Sequence, residues 1–158
     1  AGVKIDLIVR GICCLKAGVP GLSENIHVRS IVGNFLEHSR IFYFENGGRP
    51  KLYMASADWM PRNLDKRVEI MFPVEDPKIR EEVLHILEVQ LADNMKAHVL
   101  QPDGSYEKMD LRGRMKICSQ DQFCEEAAAA VRRKLAEQEP AQTRTFIPAE
   151  PQGKDGQE

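Results

Sequence analysis

One short stretch of the chain combines the residue types that phosphate chemistry needs. It carries a histidine, an arginine and an acid and then, past a Gly-Gly pair, a serine and a second acid: His38, Arg40, Glu45, Ser56 and Asp58. An imidazole can transfer a proton near neutral pH or carry a phosphoryl group on a ring nitrogen, and a guanidinium binds anionic oxygens. The spacing fits either a phosphate site or an ordinary hairpin with polar ends.

A predicted β-hairpin would bring these side chains together. RIFYF and KLYMAS have strand composition, and the intervening ENGGRP supplies the positive φ angles that a tight turn requires. Residues two apart on a strand share a face, so Arg40 is expected beside His38. Because a hairpin folds its ends together, Ser56 and Asp58 should return toward His38, and Glu45 at the strand's end could orient a partner group.

Strands are predicted on both sides of this hairpin. Period-two alternation of apolar residues indicates a strand over residues 3–9, with Arg10 at its end. IHVRS is a short strand or extended link, after which Ser30 would cap a short helix that carries the chain to His38. A further strand, RVEIMF, begins at Arg67. Both arginines therefore stand at predicted strand ends.

Helices are predicted in the second half. Asp76 as N-cap and Pro77 at the first helical position open an amphipathic helix. AHVL and YEKMDL form a weaker hairpin, and a last helix opens at Ser119, with Gln122 at capping-box spacing. Because strands and helices alternate, we predict an α/β or α+β layered domain.

Composition indicates one domain with a tail. The chain has 158 residues, 42% of them apolar, which is enough for a core. No apolar run approaches the roughly 18 residues needed to span a bilayer, and no signal pattern opens the sequence. We predict a folded domain over residues 1–138 and a disordered, Pro-rich tail over 139–158. The start at Ala1, without an initiator Met, suggests a piece cut from a larger protein.

The charge distribution and the cysteine spacing indicate which ligands and which sites to expect. Residues 1–72 hold ten Lys or Arg and seven Asp or Glu, a net +3, whereas residues 73–158 hold twelve and seventeen, a net -5. An anionic ligand is therefore expected on the first half. The four cysteines match neither a zinc spacing nor a small disulfide framework, so reduced thiols are expected.

Other chemically capable side chains have ordinary explanations. The remaining histidines lack comparable neighbours and are expected at packing or surface positions: His27, His85 and His98. Trp59 and Tyr53 could stack a base, but aromatic residues beside a hairpin are more often core. No carboxylate cluster has the character of a magnesium site.

The motif and its flanks resemble a known family. His-x-Arg-x4-Glu followed by Ser-x-Asp is similar to the His-x-Lys-x4-Asp and Gly-Ser-x-Asn patterns of the phospholipase D superfamily. DLIVRGICCLKAGVPGLSENI, IVGNFLEHSRIFYFENGG and YMASADWMPRNLDKRVEI together resemble the C-terminal domain of the long, histidine-dependent polyphosphate kinases. The resemblance covers residues 3–100 and thins after that.

The resemblance implies a phospholipase D-like fold, with a mixed central sheet flanked by helices, and a place in phosphoryl transfer. Members of this family reversibly move the terminal phosphate of ATP to inorganic polyphosphate through a phosphohistidine, with Mg²⁺. The phosphorylated histidine would lie in an upstream domain, and His38 would be the second, catalytic histidine. Arg10 and Arg67 match phosphate contacts, and Arg40 and Ser56 belong to the same ATP and phosphate site.

The resemblance also implies partners and location. These are ATP or ADP, polyphosphate, the upstream domains of the same polypeptide and further copies in a homo-oligomer, with no nucleic acid and no transmembrane segment. Mg²⁺ ligands are expected outside this chain. A cytoplasmic location is implied, with peripheral association at a membrane as the alternative.

Two other functions stay open at this point. A phospholipase or nuclease would keep the superfamily and change the acceptor, although Arg40 in place of Lys and Asp58 in place of Asn count against it. A non-catalytic domain that binds polyphosphate or mediates oligomerisation is the third hypothesis. Convergence of His38, Arg10 and Arg67 on one concavity would favour the catalytic hypotheses.

Overall fold

A computed structural model describes residues 1–137, so the predicted tail over 139–158 lies outside the described residues. Residues 1–124 form one compact unit, and a second unit begins at residue 125. Ten elements are described: β1 (Ile5–Ile8), β2 (Ile26–Ile31), β3 (Ile41–Phe44), β4 (Lys51–Ala55), α1 (Pro61–Leu64), β5 (Met71–Pro73), α2 (Pro77–Ala92), β6 (Ala97–Leu100), β7 (Tyr106–Lys108) and α3 (Ser119–Glu137).

The first unit contains a mixed four-stranded sheet in the order β1-β2-β6-β7. Strands β1 and β2 run parallel, and the other two pairs are antiparallel. Val28 on β2 and Leu100 on β6 are buried with Ala17 in one apolar cluster, which Leu7 flanks. The predicted α/β class with a mixed sheet is confirmed.

A second sheet of three antiparallel strands, β3-β4-β5, was not anticipated as a separate layer. Its β3–β4 turn has positive φ at Asn46, Gly47 and Gly48, as the sequence predicted. Leu52 on β4 and Val83 on α2 are buried in a second apolar cluster, so helix α2 packs on this sheet.

Helix termini agree with the sequence in part. Asp76 caps α2 by accepting hydrogen bonds from the N–H groups of Lys78 and Ile79, as predicted. Helix α3 begins at Ser119, as predicted, and the Ser119 hydroxyl donates to the Asp93 carboxylate just after the end of α2. The capping-box contact between Ser119 and Gln122 stays a prediction.

One predicted element is absent from the described residues, and another begins later than predicted. Ser30 lies inside β2, and the segment 32–40 that follows has no helix, because its backbone is held by a side chain from α3. The strand predicted from Arg67 starts only at Met71, and Val68 is fully exposed. Arg67 therefore lies in an irregular link and not at a strand end.

Candidate functional site

Four side chains from three parts of the chain meet around one imidazole. We call them the His38 cluster: Arg10, His38, Arg40 and Asp58. Arg10 follows β1, His38 and Arg40 precede β3, and Asp58 follows β4. Arg10 Nη1 lies 2.8 Å from His38 Nδ1, and Arg40 Nη2 lies 2.9 Å from His38 Nε2. Of the residues that the hairpin was expected to bring to His38, Arg40 and Asp58 are in the cluster, and Arg10 from the end of β1 joins them.

Asp58 links the two arginines. Arg40 Nε donates to Asp58 Oδ1 at 3.0 Å, and Arg10 Nη2 lies 3.7 Å from Asp58 Oδ2. The hydrogen bond from Arg40 lowers the pKa of Asp58 below its usual 3.8, and the charges of Arg40, Arg10 and His38 lower it further, while partial burial opposes them. The carboxylate is therefore held ionised between two cations.

The cluster has more hydrogen-bond donors than acceptors. Each guanidinium only donates, and a neutral imidazole has one accepting nitrogen and one N–H group. Both ring nitrogens of His38 face a guanidinium, so only one of the two contacts can be a true hydrogen bond while the imidazole is neutral. Two guanidinium groups against one carboxylate leave a net positive charge. Anionic oxygen is the chemistry that would complete such a site.

Backbone contacts of the hairpin fix the spacing of the cluster. Ala55 N–H donates to Arg40 C=O at 3.0 Å, which extends the β3–β4 pairing to the residues that carry the site. Asn63, buried in α1, donates to the Asp58 carbonyl at 3.2 Å. Its Oδ1 atom is buried without a hydrogen-bond partner among the described residues. The sequence had given no signal for Asn63.

Two other residues named from the motif make different contacts. Ser56 accepts from the Ile70 N–H at 3.0 Å and donates to the Glu69 carboxylate. Glu45 accepts from the N–H groups of Gly47 and Gly48, so it stabilises the hairpin turn and orients no member of the cluster. The phosphate-binding role of Ser56 stays a prediction.

Arg67 does not join the cluster in this structure. It is exposed, and within residues 1–137 it makes no hydrogen bond or ion pair. The three-way convergence with His38 and Arg10 is thus present for two residues only. A phosphate contact by Arg67 stays a prediction.

The aromatic residue next to Asp58 is not core, contrary to expectation. Trp59 is 75% exposed and stacks on Phe42 with ring centroids 5.5 Å apart. Its position beside the cluster arises because the chain turns into α1 directly after β4. An exposed aromatic ring therefore follows the cluster's carboxylate directly in the chain.

No metal site marks the cluster among the described residues. Within residues 1–137 no group of three or more His, Cys, Asp or Glu side chains could hold a metal ion. A depression of about 250 Å³ lies elsewhere, lined by Lys4, Asp6, His27, Val28, Arg29 and Val99. In the same part of the chain, no helix is long and apolar enough to cross a membrane. The described site is an open, charged surface.

Comparison with known sequences decides the family. A family model described as "Polyphosphate kinase C-terminal domain 2" matches residues 1–120. The chain belongs to this family. The polyphosphate kinase match extends about twenty residues past Leu100, where the motif resemblance thinned.

Curated polyphosphate kinases from several bacteria are close relatives. The chain is 63% identical to the Pseudomonas aeruginosa protein over 113 residues, which is 72% of this chain and 16% of that protein. It is 48% identical to the Lactiplantibacillus plantarum protein over 149 residues, 94% of this chain and 21% of that protein. The chain therefore spans about a fifth or less of the length of these polyphosphate kinases.

A solved structure supports the fold. The chain is similar to the crystal structure of polyphosphate kinase from Porphyromonas gingivalis, with a TM-score of 0.77 and 42% sequence identity. The match covers 84% of this chain and 20% of that one. The phospholipase D-like fold inferred from the polyphosphate kinase motifs agrees with this likeness.

Proposed function

We propose that this chain supplies one side of the phosphoryl-transfer site of a polyphosphate kinase, which reversibly moves the terminal phosphate of ATP onto inorganic polyphosphate. The observation that carries the proposal is the His38 cluster, in which two guanidinium groups flank both nitrogens of one imidazole. Membership of the polyphosphate kinase family supports the choice of substrates.

The cluster is suited to a phosphoryl group that spreads charge over three oxygens. Arg10 and Arg40 can each give two parallel N–H groups to oxygens and neutralise charge that develops during transfer. His38 lies between them, where it can donate a proton to the bridging or leaving oxygen. Asp58 keeps both guanidinium planes oriented without itself facing the phosphate.

Several parts of the reaction belong to the rest of the polypeptide in this proposal. The histidine that accepts the phosphoryl group and the ligands of Mg²⁺ lie in other domains of the same protein. Mg²⁺ would neutralise charge on the phosphates of ATP. The whole protein acts in the cytoplasm, peripherally at a membrane or free of one, and as a homo-oligomer.

The test measures transfer and binding in the full-length polypeptide that carries this domain. Conversion of ATP to polyphosphate should fall by about 10²–10⁴-fold in His38→Ala, as for loss of a general acid, with polyphosphate affinity little changed. Arg10→Ala should weaken polyphosphate binding and reduce its salt dependence. His98→Ala is the matched histidine control, because His98 lies on β6 with its ring against the Lys96 carbonyl.

Two results would contradict the proposal. One is full transfer activity in His38→Ala, and the other is equal loss in the His38 and His98 variants. Arg67→Ala separates the motif prediction from the geometry: weakening equal to that of Arg10→Ala would mean that Arg67 moves to the phosphate when it binds.

A further inference from the structure

The backbone of Phe35, three residues before His38, is held by one side chain from helix α3. Gln120 Oε1 accepts from the Phe35 N–H at 3.0 Å, and Gln120 Nε2 donates to the Phe35 carbonyl at 2.8 Å. The amide thus pairs both backbone groups of Phe35, as a neighbouring strand would. A Cβ atom on Gly33 would lie 2.1 Å from Gln120 Oε1, so only glycine allows this approach.

The residue directly before His38 is held by two glutamines. Glu37 Oε1 accepts from Gln120 Nε2 at 2.7 Å, and Glu37 Oε2 accepts from Gln90 Nε2 at 2.8 Å. Both glutamines are about 95% buried, at 5% exposure each. Each carboxylate oxygen is therefore bonded to a different helix, because Gln90 lies in the last turns of α2 and Gln120 in the first turn of α3.

These two helix ends are fixed to one another by a buried carboxylate. Asp93 and Ser119 have no exposed surface, and Asp93 Oδ2 accepts from the Ser119 N–H at 2.8 Å and the Ser119 hydroxyl at 2.7 Å. Asp93 Oδ1 accepts from the N–H groups of Lys96 and Ala97. We call this set the polar network: Glu37, Gln90, Asp93, Ser119 and Gln120.

Consecutive residues thus face different parts of the molecule. Glu37 bonds to the network and His38 contacts the arginines. We propose that Glu37, Gln90 and Gln120 are positioning residues that fix the His38 imidazole between Arg10 and Arg40 for phosphoryl transfer. This inference rests on the proposed function.

The test replaces each glutamine by methionine, which keeps the length of the side chain and removes its donor. In the full-length polypeptide, Gln90→Met and Gln120→Met should lower kcat by about ten- to a hundredfold, the cost of a misplaced catalytic group. KM for ATP should stay nearly constant, since the arginines that bind phosphate are untouched. Gln101→Met is the matched control, because the Gln101 side chain donates to the Val99 carbonyl at the β6–β7 turn, outside the polar network.

Amide hydrogen exchange gives a readout that needs no activity. Peptides that cover residues 32–40 should exchange faster in Gln120→Met, which loses the bond to the Phe35 N–H, and should be unchanged in Gln101→Met. Within residues 1–137 the Gln90 side chain makes one hydrogen bond, to Glu37, so Gln90→Met keeps the test valid if Gln120→Met folds poorly.

The outcomes separate this inference from the proposed function. Unchanged exchange over residues 32–40 in Gln120→Met, or an apparent kcat that falls only in proportion to the unfolded fraction, would overturn the positioning role. If the unaltered protein transfers no phosphate, the proposed function fails. Faster exchange confined to the glutamine variants would still show that the glutamines hold the segment that contains His38.

Discussion

The His38 cluster and the polar network are adjacent in the chain but differ in how completely their hydrogen bonds are made. In the network, both Asp93 oxygens and both Glu37 oxygens accept bonds from protein donors. In the cluster, two guanidinium groups face one imidazole that can accept from only one of them.

The difference indicates a division of roles. A buried, fully bonded network stabilises one arrangement of the chain, because each unmade bond there would cost free energy. A half-exposed site with surplus donors gains little stability from its own contacts and leaves them available to an anion. The side chains of Arg10 and Arg40 are 35% and 21% exposed to solvent, and both are held by Asp58.

Removing the carboxylate at the centre of the network should have the largest effect on stability. Asp93→Ala leaves three N–H groups and one hydroxyl without their acceptor in a site with no exposed surface. We expect the free energy of unfolding to fall by about 3 kcal/mol or more, measured by urea denaturation. Asp103→Ala, at an exposed β6–β7 turn, is the control and should change it little. Equal losses in the two variants would contradict this account.

The sequence predicted local structure where the determinants are local. The β3–β4 turn depends on three consecutive residues, Asn46 to Gly48, and the start of α2 depends on Asp76 and Pro77. Both are present. The helix predicted after Ser30 is absent because Gln120, 85 residues from Phe35 in the chain, occupies the backbone groups that a helix would use. No pattern in the segment itself reveals such a partner.

The same distinction applies to the site. Arg40 lies beside His38 as strand alternation predicted, although both residues precede β3, and the return of Asp58 follows from the hairpin. Ser56 lies two residues from Asp58, yet its hydroxyl is bonded to Glu69 and Ile70. These two residues were predicted to lie in a strand, but they precede β5. The glutamines escaped notice because an uncharged amide on a helix has no distinctive spacing.

A smaller effect is expected from the cluster's own carboxylate. Because the pKa of Asp58 is lowered in the folded protein, its ionised form contributes stability above its usual pKa, and this contribution is lost as pH falls through the lowered value. Asp58→Asn should therefore cost up to about 1 kcal/mol at neutral pH, and the difference from the unaltered protein should shrink below about pH 4. Urea unfolding at pH 7, 5 and 3 measures it.

The comparison fails if the two carboxylates behave alike. A loss in Asp58→Asn as large as that in Asp93→Ala would mean that the cluster is a structural ion pair and not a site left open for a ligand. A difference that grows toward acid pH would contradict the direction of the Asp58 shift. Asp65→Asn is a suitable control, since Asp65 is exposed and its side chain has no partner among the described residues.

Thiol labelling compares the two regions without changing either. Cys14 is exposed four residues after Arg10, whereas Cys118 is buried next to Ser119, and burial raises the pKa of the Cys118 thiol. Alkylation proceeds through the thiolate, so iodoacetamide should label Cys14 well before Cys118 in the native protein, and both at similar rates in urea. Mass spectrometry of the peptides measures the two rates. Native Cys118 that reacts as fast as Cys14 would mean that the network opens as readily as the cluster.

The variant Gln120→Met should speed the labelling of Cys118 and leave that of Cys14 unchanged. It loosens the polar network and does not alter the residues around Arg10.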